Sequence, residues 1–256
     1  MAKENISTDR RRRTPRADSP VRNNILAALL ATEYKHLLPK FERMTLQRGE
    51  VIYRADQQIE SVYFPEEAVV AMIDSLDDDR TVEVGIIGCE GIVGINVFLG
   101  GLVTPDKAIV QLPGGAIRMQ SKELRSELRL GSPLQRLLLA YARTFLAVIS
   151  QSVACCQHHN IEQRLARWLL TMNHYSGSCE FLMAHQSIAG MLGVRREGIT
   201  EAASSLQAAG LIRYHRGRIT VLDEVGLGQK SCECYRFISQ QYKRLHAGLP
   251  RLLYRK

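Results

Sequence analysis

Residues 184–204, Ala-His-Gln-Ser-Ile-Ala-Gly-Met-Leu-Gly-Val-Arg-Arg-Glu-Gly-Ile-Thr-Glu-Ala-Ala-Ser, restrict the fold more than any other stretch. Two short helices joined by a tight turn must cross closely here. Ala189 is small where they would touch, and Gly193 falls where the turn needs a positive φ. Ile188, Leu192, Val194 and Ile199 supply a miniature core. The positions left over on the second helix are Arg195, Arg196, Glu197, Thr200, Glu201 and Ser204. They are polar and face outward together, as a surface that enters a DNA groove must.

Just downstream, Leu211 to Val221 alternates across a turn at Arg216-Gly217, which predicts a two-stranded wing with a basic tip. Between residues 184 and 222, five arginines (195, 196, 213, 216, 218) stand against two glutamates (197, 201). Arg213, Arg216 and Arg218 therefore lie where phosphates would meet the protein. The competing reading is an ordinary helical subdomain with a solvated face. The joint occurrence of small residue, turn glycine, core positions and basic wing argues against it.

Upstream, Asn23 to Phe41 has helical spacing, with Leu26, Leu29, Leu30, Leu37 and Leu38 on one face. From about Met44 to Met119 the texture changes to short β-branched runs: 51–53, 62–64, 69–73, 82–87, 109–112 and 116–117. Gly, Pro and Asp separate them, which predicts a compact antiparallel barrel or roll. A long helical segment follows from about Ser121 to Gln157. Leu134, Leu138, Tyr141, Phe145, Val148, Ser152 and Cys155 alternate four and three residues apart, the spacing of a coiled-coil seam or of an internal core helix. A symmetric partner is the simplest cover for it, so dimerisation through residues 134–155 is expected. Ile161 to Tyr175 predicts an amphipathic helix with Leu165, Trp168, Leu169 and Met172 inward.

A chain of 256 residues with 45% apolar residues has room for two modest domains, and its formal charge of +8 suits a polyanionic partner. No run reaches the roughly 18 apolar residues of a membrane span; the best, Leu137 to Ile149, is broken by Arg143. The N-terminus lacks a secretory h-region. Six cysteines in this length do not make a disulfide scaffold, so a reduced, cytoplasmic protein is expected. No Gly-x-Ser-x-Gly, Walker A or His-Glu-x-x-His pattern is present, which argues against an enzyme.

The chain resembles the Crp/Fnr family of transcription regulators over about residues 23–230. The likeness rests on Gly-Glu-Val-Ile-Tyr (49–53), Val-Tyr-Phe (62–64), Glu-Gln-Arg-Leu-Ala-Arg-Trp-Leu-Leu (162–170), Gly-Val-Arg-Arg-Glu (193–197), Gly-Leu-Ile (210–212) and Arg-Gly-Arg-Ile-Thr-Val-Leu (216–222). The resemblance implies an α+β chain. It implies an antiparallel β-roll sensor domain resembling cyclic-nucleotide-binding domains (23–120), a long dimerisation helix (121–159) and a winged helix-turn-helix (160–230); outside it, the polar, arginine-rich residues 1–22 read as a disordered basic arm and 231–256 as a C-terminal helical extension. It also implies base contacts from an Arg-Glu pair, matched by Arg196 and Glu197. Arg can pair with guanine and Glu can accept from cytosine. Where the family often has a second Arg, this chain has Glu201, and the usual Ser at the helix start is Arg195. The operator is therefore expected to depart from the family consensus.

In family members that bind cyclic AMP, a buried Arg and small residues hold the phosphate. Here that stretch aligns with Asp106-Lys107-Ala108, and an Asp repels a phosphate. Binding of cyclic AMP in the usual way is not expected. Gly88, Glu90, Gly91, Gly94 and Lys107 mark the region of an effector pocket for some other small molecule. The glycines also read as tight bends in a roll.

No Cys precedes Cys89, so the family's N-terminal iron–sulfur cluster has no support. Cys155, Cys156, His158, His159 and Glu162 crowd one junction, with Cys155 and His159 on one helical face. Metal or redox sensing there is physically possible, and buried packing with polar helix termini is the plainer reading; Cys232-Glu233-Cys234 reads as incidental. No metal or cofactor is assigned. The expected partners are double-stranded DNA, a second copy of the chain, RNA polymerase and an unidentified effector, with no membrane. The alternative is a ligand-binding or interaction module that has lost specific DNA binding, to which Glu197 and Glu201 on the reading face give weight.

Overall fold

The computed structural model describes residues 21–76, 80–176 and 179–253. The expected basic arm lies outside the described residues except for its end. There Arg22 is anchored, its backbone N–H donating to Glu66 Oε1 at 3.0 Å.

The chain begins with two short helices, α1 (Asn24–Ala27) and α2 (Ala31–Leu37). The single helix expected over this segment is interrupted because Leu30 is extended, and Pro39 turns the chain into a single 3-10 turn. Leu30 and Leu38 are consequently exposed rather than sharing the buried face.

Seven strands then form the roll: β1 (Glu42–Leu46), β2 (Val51–Tyr53), β3 (Ser61–Pro65), β4 (Val69–Ser75), β5 (Thr81–Ile87), β6 (Lys107–Leu112) and β7 (Gly114–Gln120), with α3 (Ile95–Phe98) between β5 and β6. They make two antiparallel sheets, in the orders β1-β7-β3 and β2-β6-β4-β5. In β4, Val70 and Met72 enter the roll's core while Val69 points to the other side and joins a second core. Alternation along a strand thus places one domain on each face of the same sheet.

The helix expected from 121 to 157 is two helices, α4 (Ser121–Glu127) and α5 (Pro133–His158). Gly131, at φ +75°, breaks the run. Ser132 then caps α5 by accepting from the Gln135 N–H at 3.2 Å, with Pro133 in the first turn.

The seam read from the sequence also needs correction. Leu134, Leu138, Tyr141, Phe145 and Val148 are buried inside the chain, in the roll's own core, and not on a surface open to a partner. The face of α5 left open carries Leu139, Leu146 and Val153. By length and apolarity α5 could cross a bilayer, but one side of it is occupied by the roll.

The second core is the C-terminal domain: α6 (Ile161–Ser176), β8 (Glu180–Leu182), α7 (His185–Leu192), α8 (Arg196–Ala208), β9 (Ile212–His215), β10 (Arg218–Val221) and α9 (Glu224–Lys230). Leu165, Trp168, Leu169 and Met172 of α6 are all buried there. The last helix, α10 (Cys234–Leu253), does not simply extend this domain. It runs back along α5, and Ile238, Tyr242, Leu245 and Leu249 join the roll's core. His246 Nε2 meets Asn24 Nδ2 at 3.0 Å.

That return path gives Cys232 and Cys234 neighbours that their place in the sequence does not show. The link between α9 and α10 brings both thiols beside Cys155 and His159.

Candidate nucleic-acid interface

The reading face is built by the α7–turn–α8 unit. Gly193 closes α7 in the left-handed region at φ +62°, and its N–H bonds back to Ala189 O. Ala189 is buried at the crossing, with Ile188, Leu192 and Ile199 around it. Gly198 lets α8 approach α6: a Cβ there would stand 2.6 Å from Ile161 Cδ1. With these apolar positions committed inward, Arg195, Arg196, Glu197, Thr200, Glu201 and Ser204 are all exposed. Arg195 is the extended N-cap residue of α8 and makes no side-chain cap bond. The first N–H groups of the helix therefore stay open beside two arginines, a favourable place for an anion.

The wing is a two-residue hairpin. Arg216 and Gly217 have φ of +48° and +78°, the pattern of a type I′ turn, whose twist matches that of the flanking strands. Arg213, Arg216 and Arg218 are exposed. They are not equivalent, because Arg218 is ion-paired with Glu180 of β8, a third strand not anticipated from the sequence.

One residue inside the motif was not singled out by its sequence. His185 stacks on Tyr214 of the wing, ring centroids 4.0 Å apart at 19°, and its Nδ1 lies 3.0 Å from Thr200 Oγ1 on α8. Thr200 Oγ1 donates to Arg196 O at 3.1 Å, so His185 Nδ1–H is the donor to Thr200. Burial, then the Arg196 charge, holds the His185 imidazole below its usual range, favouring the neutral ring with its proton on Nδ1. His185 thus fixes the wing against the reading helix.

Residues 163–230 match the family model of the Crp-like helix-turn-helix domain. A comparison with curated proteins finds no match. Among solved structures the chain is similar to FixK2 from Bradyrhizobium japonicum (18% identity, TM-score 0.64, covering 75% of this chain and 98% of that one). It is also similar to a CRP-family transcriptional regulator from Thermus thermophilus (18%, 0.63, 73% and 96%). A third is the c-di-GMP-responsive global regulator CLP from Xanthomonas campestris (17%, 0.60, 75% and 99%). The chain has the fold of Crp/Fnr transcription regulators, with a Crp-like helix-turn-helix domain at its C-terminal side.

In this Crp/Fnr-like fold the residues expected around an effector do not line one described pocket. Gly88 and Gly91 are closed off by packing: an added Cβ would lie 2.8 Å from Tyr175 Cδ1 and 2.2 Å from Tyr141 Oη respectively. Gly94, at φ +89°, starts α3 against Val62 and Ile59. Glu90 is buried, accepting from the Gly88 N–H at 3.0 Å. Burial pushes its carboxyl up to about 7. Lys107 alone of the five borders a cleft, with Arg48, Thr81 and Gln186, between the roll and α7. Asp106 is buried and already engaged, accepting from Tyr53 Oη at 3.2 Å and from Thr104 Oγ1.

The roll and the helix-turn-helix domain touch through β5. Thr81 Oγ1 donates to Gly190 O of α7 at 3.4 Å, and Trp168 Nε1 of α6 donates to Glu83 Oε2 at 3.3 Å.

Proposed function

We propose that the protein is a sequence-specific transcription regulator that binds a pseudo-palindromic operator as a homodimer. The observation that carries the reading is the exposed polar face of α8 beside an arginine-tipped hairpin. On that reading Arg196 and Glu197 face base edges, with Thr200, Glu201 and Ser204 further along the groove. Arg195, Arg213 and Arg216 face phosphates, and Arg218 does so once released from Glu180. The partner copy docks on the open stripe of α5, and each protomer supplies one reading helix about one DNA turn apart. Such a protein works in the cytoplasm, contacts RNA polymerase and needs no catalytic chemistry. A small-molecule effector would act by biasing the roll against α5, α6 and α7 through β5. Cyclic AMP bound in the usual way is disfavoured, because Asp106 presents acceptors where a phosphate would need donors.

Two substitutions separate reading from holding. Arg196→Ala is expected to cost about 1–3 kcal/mol at one operator position and to relax discrimination there. Arg216→Ala is expected to weaken every sequence alike and to lower the slope of log affinity against log salt by about 1. Selection of bound fragments from random DNA supplies the operator, and anisotropy titrations at several salt concentrations supply both numbers. Identical effects from the two variants would overturn this division. A wild-type chain whose affinity does not fall with salt would favour an interaction module instead.

A further inference from the structure

Four metal-ligating side chains converge where α5 ends and the C-terminal helix begins. Cys155 and His159 come from the C-terminal end of α5, one helical turn apart. Cys232 and Cys234 come from the α9–α10 link, more than seventy residues later in sequence. Their ligand atoms all lie within 4.8 Å of one another. Cys155 Sγ and Cys232 Sγ are 3.5 Å apart, and Cys234 Sγ is 3.6 Å from His159 Nδ1. A tetrahedral ion with Zn–S near 2.3 Å and Zn–N near 2.05 Å requires edges of about 3.8 Å and about 3.6 Å. These two separations fit one ion, the other pairs stay within 4.8 Å, and 3.5 Å between sulfurs is too long for a disulfide bond.

The surroundings complete the arrangement. Cys155, Cys232 and Cys234 are buried and form a small cluster of their own, apart from the two apolar cores. His159 Nε2 lies 3.2 Å from Glu233 Oε2, so the ring donates to the carboxylate and turns its Nδ1 lone pair towards the sulfurs. Gln151 Nε2 donates to Cys234 Sγ at 3.1 Å, a bond that would stabilise a thiolate. His159 keeps a side-chain exposure of 13%, which leaves a route for an ion. An adventitious cluster of thiols has no need of a carboxylate that orients the imidazole.

We propose that Cys155, His159, Cys232 and Cys234 form a closed site of three thiolates and one imidazole for a zinc-class divalent ion that pins the C-terminal helix to the end of the long helix. On binding, the three thiols release their protons to solvent and the imidazole binds neutral. Four protein ligands leave no open position, so the role is structural or regulatory rather than catalytic. Since α10 is seated in the sensor core and α9 belongs to the reading domain, occupancy fixes one domain against the other.

Zinc and cobalt titrations of the reduced full-length protein against a chromophoric chelator test the site. The expected result is one equivalent per chain, a tetrahedral cobalt–thiolate spectrum, and loss of both in Cys234→Ser. Cys156→Ser, which alters an exposed neighbouring thiol, is expected to bind normally. Should Cys234→Ser misfold, Glu233→Gln at an exposed residue serves instead and is expected to weaken zinc binding about 10–100-fold. Alkylation read by mass spectrometry is expected to modify Cys155, Cys232 and Cys234 only after chelation, with Cys156 and Cys179 modified throughout. Absence of stoichiometric binding, full affinity in Glu233→Gln, or a Cys155–Cys232 disulfide forming in the presence of zinc would each overturn the proposal.

Discussion

Replacing Leu139 and Leu146 together with Asp is expected to turn a dimer into a monomer and to weaken operator binding by about 10²–10⁴-fold, the gain that linking two binding modules gives. The expectation comes from how α5 divides its surface. Its buried side is filled by its own roll and by α10, so that side has nothing to offer a second chain. On the opposite side Leu139, Leu146 and Val153 are 52%, 60% and 61% exposed. They recur every seven residues, with exposed Arg143 and Ser150 between them, so one straight seam runs along the helix. Large aliphatic residues held in water at heptad spacing are best accounted for by a matching copy across a two-fold axis. Two aspartates on each chain would place four carboxylates against one another in that seam, and each helix would stay folded because the buried side is untouched. Sedimentation gives the mass and fluorescence anisotropy the affinity. A double variant that remains dimeric and binds operator normally would remove α5 as the interface.

The reading head was legible in the sequence because its determinants are local. Ala189, Gly193, the turn at Arg216-Gly217 and the outward arginines all act within forty residues of one another, and a turn glycine or a type I′ dipeptide states its geometry directly. The missed features depend on distant partners. β1 (Glu-Arg-Met-Thr-Leu) and β8 (Glu-Phe-Leu) lack β-branched runs, and they are strands because β7 and β10 present edges to them. The period along α5 marked one face for burial and could not say in what; the roll took it, and the apolar residues left open are Leu139, Leu146 and Val153. Cys232 and Cys234 gained their neighbours only when α10 folded back. Some signals were present and underused. Gly131-Ser132-Pro133 is a stop followed by a start, and His185 lay inside the motif already identified. The five residues marked for an effector pocket share a sequence neighbourhood, yet tyrosines from α5 and α6 fill the space beside two of them.

Those tyrosines set the terms of a second expected result: ionisation of Glu90 should cost the protein about 3 kcal/mol of stability between pH 4.5 and 7, and Glu90→Gln should remove that share of the pH dependence. Glu90 sits on the loop after β5 and is enclosed by Tyr141 of α5, Tyr175 of α6 and Tyr242 of α10, with Cys89 beside it. No cation is among the groups that set its titration; burial leads, and it pushes the carboxyl up to about 7. The unfolded chain releases this proton near 4.5, whereas the folded chain holds it to about 7. In that window the folded state carries more protons, so stability falls as pH rises and levels off above the folded value. Glu83 of β5, pushed up to about 8 by burial against Trp168, contributes in the same direction by at least as much, so the single variant keeps a slope of its own. Glutamine keeps an acceptor for the Gly88 N–H and cannot ionise, so Glu90→Gln should match wild type at pH 5 and exceed it at pH 8 by roughly 6–12 °C in Tm. Thermal melts of both proteins across that range decide it. Parallel curves would mean that Glu90 is charged and compensated in the folded state, and that the junction of roll, long helix and reading domain does not sense protons through it.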